Sequence, residues 1–544
     1  MLKSLTIIPL CVVAASLAAS AADDSFGAFH FFPGNLVVSR SVYDNNPNNV
    51  ATGQILPPGC ASTQIPCPTT GAPDNGTYPA VFNNVLYDPS FGITSKILLD
   101  QTTVFGWVLN TLEVPNSSLK NIGGTSDQLV TSFSSKSELG LHLSTDGKYL
   151  TFMGYVAPID TIDVSNSNTP AAVDPTNPVG QSFLRAVAQV DQSGKFQFTE
   201  TNAYSGNNGR AVILNRLAGA DVYYTAGNAG NGNNPQPDGV VLGAGAQILT
   251  PSTSPEVGQM PGTPTPVASF SVTELGGKAD KIGKDDNFRG IRIFNNVLYF
   301  TKGSGSNGVN TVYFVDTTGT ACPNGVGVPV AGAALPTTPL SYDPSTLQTD
   351  GLPNNMCILA GFPSIPNKSA TTTTFPFGLW FADANTLYVA DEGDGYTGGT
   401  DLYTHAAAQT TAGLQKWVFD SSTNTWNLAY TLQNGLKLGT AYNIPGFPTG
   451  TNTATGLPWA PAADGLRNIT GRVDGFGLVT IWAITSTISG DGDTGADPNQ
   501  LVAITDLLKN TSPKIASFET FVPLRTAGFA EVLRGVAWTP GSGE

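Results

Sequence analysis

Between Thr373 and Gly435 the apolar positions fall into short alternating runs: TTFPFGLWFADANTLYVADEGDG, an insert, then GLQKWVFDSSTNTWNLAYTLQNG. The alternation predicts strands over Phe377–Phe381, Thr386–Ala390, Leu414–Phe419 and Trp426–Leu432. Turn residues separate them, Asp383-Ala-Asn385 in the first gap and Ser421–Asn424 in the third. Alternation at period two, punctuated by Asp, Asn, Gly and Ser, is the pattern of antiparallel hairpins. Four such strands, recurring along a chain, form one blade of a β-propeller.

The same grammar recurs. One unit reads Leu139–Leu143, Tyr149–Tyr155, Phe183–Val190 and Phe196–Thr199, with an STDG turn at Ser144–Gly147. A looser unit reads Arg210–Leu214, Val222–Ala226, Val240–Leu242 and Ala268–Thr273. A third reads Gly290–Phe294, Val297–Thr301 and Val312–Val315, with no outer strand evident. After the central unit come Ile469–Val473, Thr480–Thr485, Leu501–Ile504 and Ile515–Phe521. Asn35–Tyr43 lacks a strand before it and Leu533–Thr539 lacks one after it. A ring must close, so these two fragments are expected to share a blade, completed by Val81–Tyr87 and Lys96–Asp100. The expectation is an all-β propeller of six blades, or seven if Trp107–Leu119 hides another. Long Gly/Pro/Thr-rich inserts at Asn45–Asn75, Asn228–Pro266, Thr318–Gly361 and Asn434–Asp464 are the natural source of a cap over one face.

Composition adds a compartment. Of 544 residues only 12% are charged, and a net charge of −15 argues against nucleic acid or an anionic membrane as partner. Lys3, the apolar run Leu5–Leu17 and the small residues Ala19-Ser-Ala21 read as a secretory signal over residues 1–21, leaving 22–544 as a single monomeric domain. No later apolar run is long enough to span a bilayer. Sequons at Asn75, Asn116, Asn367 and Asn510 fit a secreted glycoprotein, whereas Asn468 falls on an inner strand with no room for a glycan. The cysteines outside the signal are expected to pair locally, Cys60 with Cys67 and Cys322 with Cys357.

Familiar catalytic signatures are missing, and His30, His142 and His405 are scattered. One chemical feature repeats: four first strands open with arginine, at Arg210 (GRAVI), Arg289 (FRGIR), Arg467 (LRNIT) and Arg534 (LRGVA). Leu139 and Phe377 hold the corresponding positions in the other two units. First strands line a propeller's channel, so the four guanidinium groups are expected to form a ring suited to a carboxylate or phosphate. The alternative is that each ties neighbouring blades together. Loops after the second strands open on the same face and carry Glu392 and the acidic run Asp491, Asp493 and Asp497. Carboxylates at that spacing between glycines suit calcium, although no cofactor is required by the pattern. Tyr388, Tyr396, Trp380 and Trp482 are candidates for a stacking wall.

The phrases TLYVADEGDG and GLQKWVFD resemble the blade phrase of secreted NHL-repeat and gluconolactonase-like propellers, which implies six blades around a ligand channel. PGNLVVSR and LRGVAWTP resemble a further group of secreted microbial propellers of unassigned activity. The gluconolactonase metal set of Glu, Asn and Asp has no residue-by-residue match here. The leading expectation is an enzyme acting at the propeller mouth on a carboxylate-bearing small molecule or uronate-containing glycan, by lyase-type proton abstraction beside the arginines. The alternatives are a non-catalytic extracellular binding or wall-associated propeller, and a fungal-type secondary-metabolite cyclase.

Overall fold

A computed structural model describes residues 29–46, 77–86, 91–118, 128–166, 183–201, 203–204, 207–228, 245–253, 287–303, 308–322, 324–337, 356–367 and 369–542. The signal segment, Asn75, Cys60 and Cys67 lie outside these residues. The described residues form six sheets, and the first strands of successive sheets contact one another around a ring. The protein is a six-bladed β-propeller.

Blade 1 comprises His142–Leu143, Tyr149–Tyr155, Arg185–Asp191 and Phe196–Thr201. Blade 2 has Gly209–Asn215, Val222–Gly227 and Ala246–Leu249. The third strand is therefore Ala246–Leu249, and the expected Val240–Leu242 and Ala268–Thr273 lie outside the described residues. Blade 3 runs Phe288–Phe294, Val297–Lys302 and Thr311–Val315, and the short Val326–Gly327 pairs parallel at the edge of its fourth strand, Met356–Leu359. Cys357 on that strand is bonded to Cys322, so the disulfide fastens the insert to the blade it leaves. Blade 4 is Pro376–Asp383, Thr386–Asp391, Gly413–Asp420 and Thr425–Leu432, as the alternation predicts. Blade 5 is Ala462–Val473, Leu478–Ile488, Gln500–Leu507 and Val522–Thr526. The expected outer strand Ile515–Phe521 is instead the end of a short helix at Pro513–Ala516 and the turn and irregular chain leading to Val522, because Pro513 removes an amide that a ladder needs and suits a helix start.

Blade 6 closes the ring. Glu531–Trp538 pairs antiparallel with Leu36–Val42, which pairs with Thr94–Thr102 and so to Val108–Glu113. Two expectations are corrected here. Residues 81–86 are not a strand: Ala80–Leu86 is a 3-10 helix whose Val81 and Phe82 are buried in an aromatic cap, and Tyr87 lies outside the described residues. Residues 107–119 hold no seventh blade, since Val108–Glu113 is the outer strand of blade 6. Periodicity reads both segments as strands but does not choose their partners.

Inter-blade packing is aromatic and polar together. Trp482 of blade 5 meets Trp538 of blade 6 edge to face at 5.2 Å, and Phe294 of blade 3 stacks on Phe381 of blade 4 at 4.4 Å. Between blades 4 and 5, buried Lys416 pairs with Asp506 at 3.0 Å, and Tyr388 and Tyr430 donate to the same carboxylate. The cap joins Tyr43, Tyr78, Phe82 and Phe133 to Ile444, Phe447 and Trp459, over the upper ends of blades 5 and 6 where the inner strands begin.

Candidate functional site

The six positions picked out by the sequence, Leu139, Arg210, Arg289, Phe377, Arg467 and Arg534, occupy one layer of the channel wall. Each is followed by a small residue or asparagine, and in five of the six that residue lies against the next blade's layer residue. Gly140 donates its amide to the Arg210 carbonyl at 3.1 Å, and Asn468 donates from Nδ2 to the Arg534 carbonyl at 2.8 Å. A Cβ on Gly290 would lie 2.2 Å from the Phe377 carbonyl oxygen, on Gly378 2.6 Å from that of Arg467, and on Gly535 2.4 Å from that of Leu139. In blades 3 to 6 the dipeptide is also a β-bulge: Arg289-Gly290, Phe377-Gly378, Arg467-Asn468 and Arg534-Gly535 each oppose a single residue of the second strand. Two bulges use that opposing residue as a relay. The Gly535 amide donates to the Ser39 hydroxyl, which donates to the Leu139 carbonyl at 3.0 Å; Gly290, Thr301 and Phe377 repeat the arrangement.

The arginines are not an open mouth. All four are buried at 2–6% exposure. Arg467 of blade 5 pairs with Glu392 of blade 4 at 3.1 Å, and Arg210 of blade 2 donates to the Phe288 carbonyl and Asn287 of blade 3. Both are struts between neighbours. Arg289 and Arg534, on opposite blades, are engaged less fully. Arg289 lies over the Phe377 ring at 5.8 Å with Nε lacking a hydrogen-bond partner. Arg534 donates from Nη2 to the Phe133 and Gly495 carbonyls, with Nε and Nη1 lacking partners. Burial, with Arg467 nearby, pulls Arg534 down to about 9, still cationic at neutral pH. Burial alone would raise Glu392, but Lys136, Arg289 and Arg467 outweigh it and hold the carboxyl below its ordinary value.

The other candidates are spread out. Tyr388 is fully buried between blades 4 and 5, bonded to Asp506, and does not join the arginines. Trp482 is buried in the inter-blade core, donating to the Val104 carbonyl. Tyr396 stacks on His405 at 4.1 Å, and His405 pairs with Asp394 at 2.6 Å on the surface. Asp493 caps the turn Thr494–Ala496 by accepting the Gly495 amide, while Asp491 and Asp497 lie buried beside it. Of the sequon asparagines, Asn116 and Asn510 are buried at 3% and 8% exposure, and Asn367 is half-buried. Nδ2 of Asn116 donates to Glu113 and to the Val114 carbonyl, bonds that a glycan would displace.

Below the arginine layer the channel narrows to a void of about 10 Å³ walled by Leu141, Ile291, Leu379 and Val536. That space holds no more than about one water. His142 borders it, and burial with the Arg292 charge lowers this imidazole to about 3. Beyond the constriction the channel opens at its lower end into a cavity of about 940 Å³. Arg292, Arg472, Trp380, Phe294, Phe381 and Trp538 line it, with the hairpin turns of blades 1 and 3 at its rim. The Arg472 guanidinium lies over the Trp538 ring at 5.6 Å. A groove of about 460 Å³ between blades 3 and 4 continues from it past Phe294 and Phe381. Trp380 lies in this lining, largely buried and on the face opposite the capped arginines, apart from the other residues expected to share a wall with it. Arg292 and Arg472 were missed because the repeat lies in the arginines opening the strands, and these two stand near the strand ends; the FRGIR and LRNITGR phrases contain them.

No family model matches the chain, and no curated protein is similar to it. No helix among the described residues is long and apolar enough to cross a membrane.

Proposed function

We propose that the protein is an extracellular binding propeller that takes a ring-shaped, carboxylate-bearing ligand, such as a uronate or an aromatic acid, into its lower mouth. The cavity carries this reading. Its volume lies in the range of small-molecule sites, and it combines aromatic walls with two guanidinium groups. Phe294, only partly buried, offers apolar surface for a ring beside the almost wholly buried Trp380, Phe381 and Trp538, and the exposed Arg472 offers donors for its carboxylate. A leader at residues 1–21, as the sequence suggests, would place that mouth outside the cell, and the blade phrases that resemble those of gluconolactonase-like propellers would agree with a channel ligand. Proton abstraction by a tyrosine or loop carboxylate beside the arginines finds less support, because Glu392 is paired with Arg467 and Tyr388 is bonded to Asp506 away from them.

Calorimetry with galacturonate, glucuronate and benzoate, against galactose and glucose, tests the proposal. At least one acid is expected to bind and its neutral counterpart not. Losing a charge-assisted contact costs about 1.5–3 kcal/mol, so Arg472→Ala should weaken binding roughly tenfold to a hundredfold with melting little changed. Arg467→Ala, behind the constriction, should leave the affinity of whatever remains folded intact. Indifference to every acid, or equal binding by Arg472→Ala, overturns the assignment; an unsaturated product absorbing in the ultraviolet would replace binding with elimination.

A further inference from the structure

The loop of residues 489–497 follows the second strand of blade 5 and carries the sequence Ser-Gly-Asp-Gly-Asp-Thr-Gly-Ala-Asp. It is clamped from several sides. A Cβ on Gly490 would lie 2.4 Å from the Leu457 carbonyl oxygen, on Gly492 2.5 Å from Asn83 Cα, and on Gly495 1.9 Å from the Ser134 carbonyl oxygen. Asn452 Nδ2 and the Thr455 hydroxyl both donate to the Gly490 carbonyl. Ser489 gathers the two acids at the ends of the loop: its hydroxyl accepts the Asp491 amide at 2.9 Å and donates to Asp497 Oδ1 at 3.1 Å.

Those carboxylates are 3% and 0% exposed, and three of their oxygens have no hydrogen-bond partner: both of Asp491 and Oδ2 of Asp497. The amides of Gly492 and Asp493 lie near the Asp491 carboxylate without reaching hydrogen-bond geometry. Neither neighbouring arginine bonds these oxygens: Arg467 pairs with Glu392, and Arg534 donates from Nη2 to the Phe133 and Gly495 carbonyls while its Nε and Nη1 lack hydrogen-bond partners. Tyr78 and Tyr442 stand against the pair but donate to the backbone, at Ala496 and Pro498. Asp493 turns to its own cap. Two buried like charges with unused lone pairs are costly unless a proton neutralises one or a cation joins them.

We propose that a calcium ion binds between Asp491 and Asp497, held by these carboxylates with Asp493 outside the ligand set. Oxygen-only donors suit a hard cation, and a dication balances the two negative charges. Calcium tolerates irregular oxygen shells, whereas magnesium demands near-ideal octahedral geometry, so calcium is the better match. The site does not depend on which ligand enters the lower mouth.

Urea unfolding of the whole protein, in chelator and in millimolar calcium chloride, provides the test. With calcium at a hundred times its dissociation constant, the unfolded-to-folded ratio should fall about a hundredfold, and magnesium at equal concentration should do much less. Asp491→Asn and Asp497→Asn should lose this increment; Asp493→Asn should keep it, whatever its own stability. If the first two variants fail to fold, terbium luminescence of the parent, sensitised by tyrosine and displaced by calcium, replaces them. A parent whose stability ignores calcium, or an increment that survives in Asp491→Asn and Asp497→Asn, overturns the site. So does a parent that gives no calcium-displaceable terbium signal.

Discussion

Arg467 and Arg289 bring the same guanidinium into the same layer, and their surroundings make them different residues. Arg467 faces Glu392, and both are about nineteen-twentieths buried. Removing it strands a buried carboxylate, so Arg467→Ala should cost about 3–5 kcal/mol. Arg289 instead rests on the Phe377 ring; burial pushes it down, the Glu392 charge works against that, and Arg467 adds a smaller repulsion. A contact of that kind contributes about 0.5–2 kcal/mol, and no direct carboxylate partner is left stranded by its loss. Urea midpoints of the two alanine variants should separate clearly; equal losses would show that Arg289 is a strut too.

At the scale of the element, the inner strand is defined by its bulge. Arginine turns one way, the following glycine brings the backbone against the neighbouring blade, and a hydroxyl on the second strand bridges the gap in blades 3 and 6. Gly290→Ala places a methyl group 2.2 Å from the Phe377 carbonyl oxygen. Overpacking of this kind costs about 1–3 kcal/mol. Gly475, in the hairpin turn of blade 5, has nothing within 4 Å of an added Cβ, and Gly475→Ala should stay within about 0.5 kcal/mol. A neutral Gly290→Ala would mean that blades 3 and 4 separate more easily than their packing implies.

For the whole molecule, the ring depends on two distant segments of chain meeting. Arg40 on Leu36–Val42 joins Asp100 at 2.8 Å and also reaches Glu531, and Trp538 donates to the Gly471 carbonyl of blade 5 at 3.0 Å. Deleting residues 533–544 removes most of the innermost strand of blade 6, exposes an edge of Leu36–Val42, and empties one position of the arginine layer. The truncated protein is expected to fail to accumulate folded. A version melting with the parent would refute closure through the shared blade.

Period-two alternation and turn residues were enough to read most strands of blades 1, 4 and 5 and the meeting of Asn35–Tyr43 with Leu533–Thr539, because those signals are local or follow from the need to close a ring. The repeated arginine was legible for the same reason: equivalent positions in equivalent strands share a height. The long inserts raised the expectation of a cap, and residues 434–464 supply part of it; which strand ends it covers is not encoded in periodicity and came from packing among segments as far apart as Tyr78 and Phe447. The division of four identical side chains into two struts and two less engaged groups also came from tertiary neighbours, Glu392 for Arg467 and Phe377 for Arg289. The lower cavity is a shape, made where Arg292, Arg472, Trp380 and Trp538 converge from blades 3, 5, 4 and 6, and residues that meet across a ring leave no mark in the spacing along the chain.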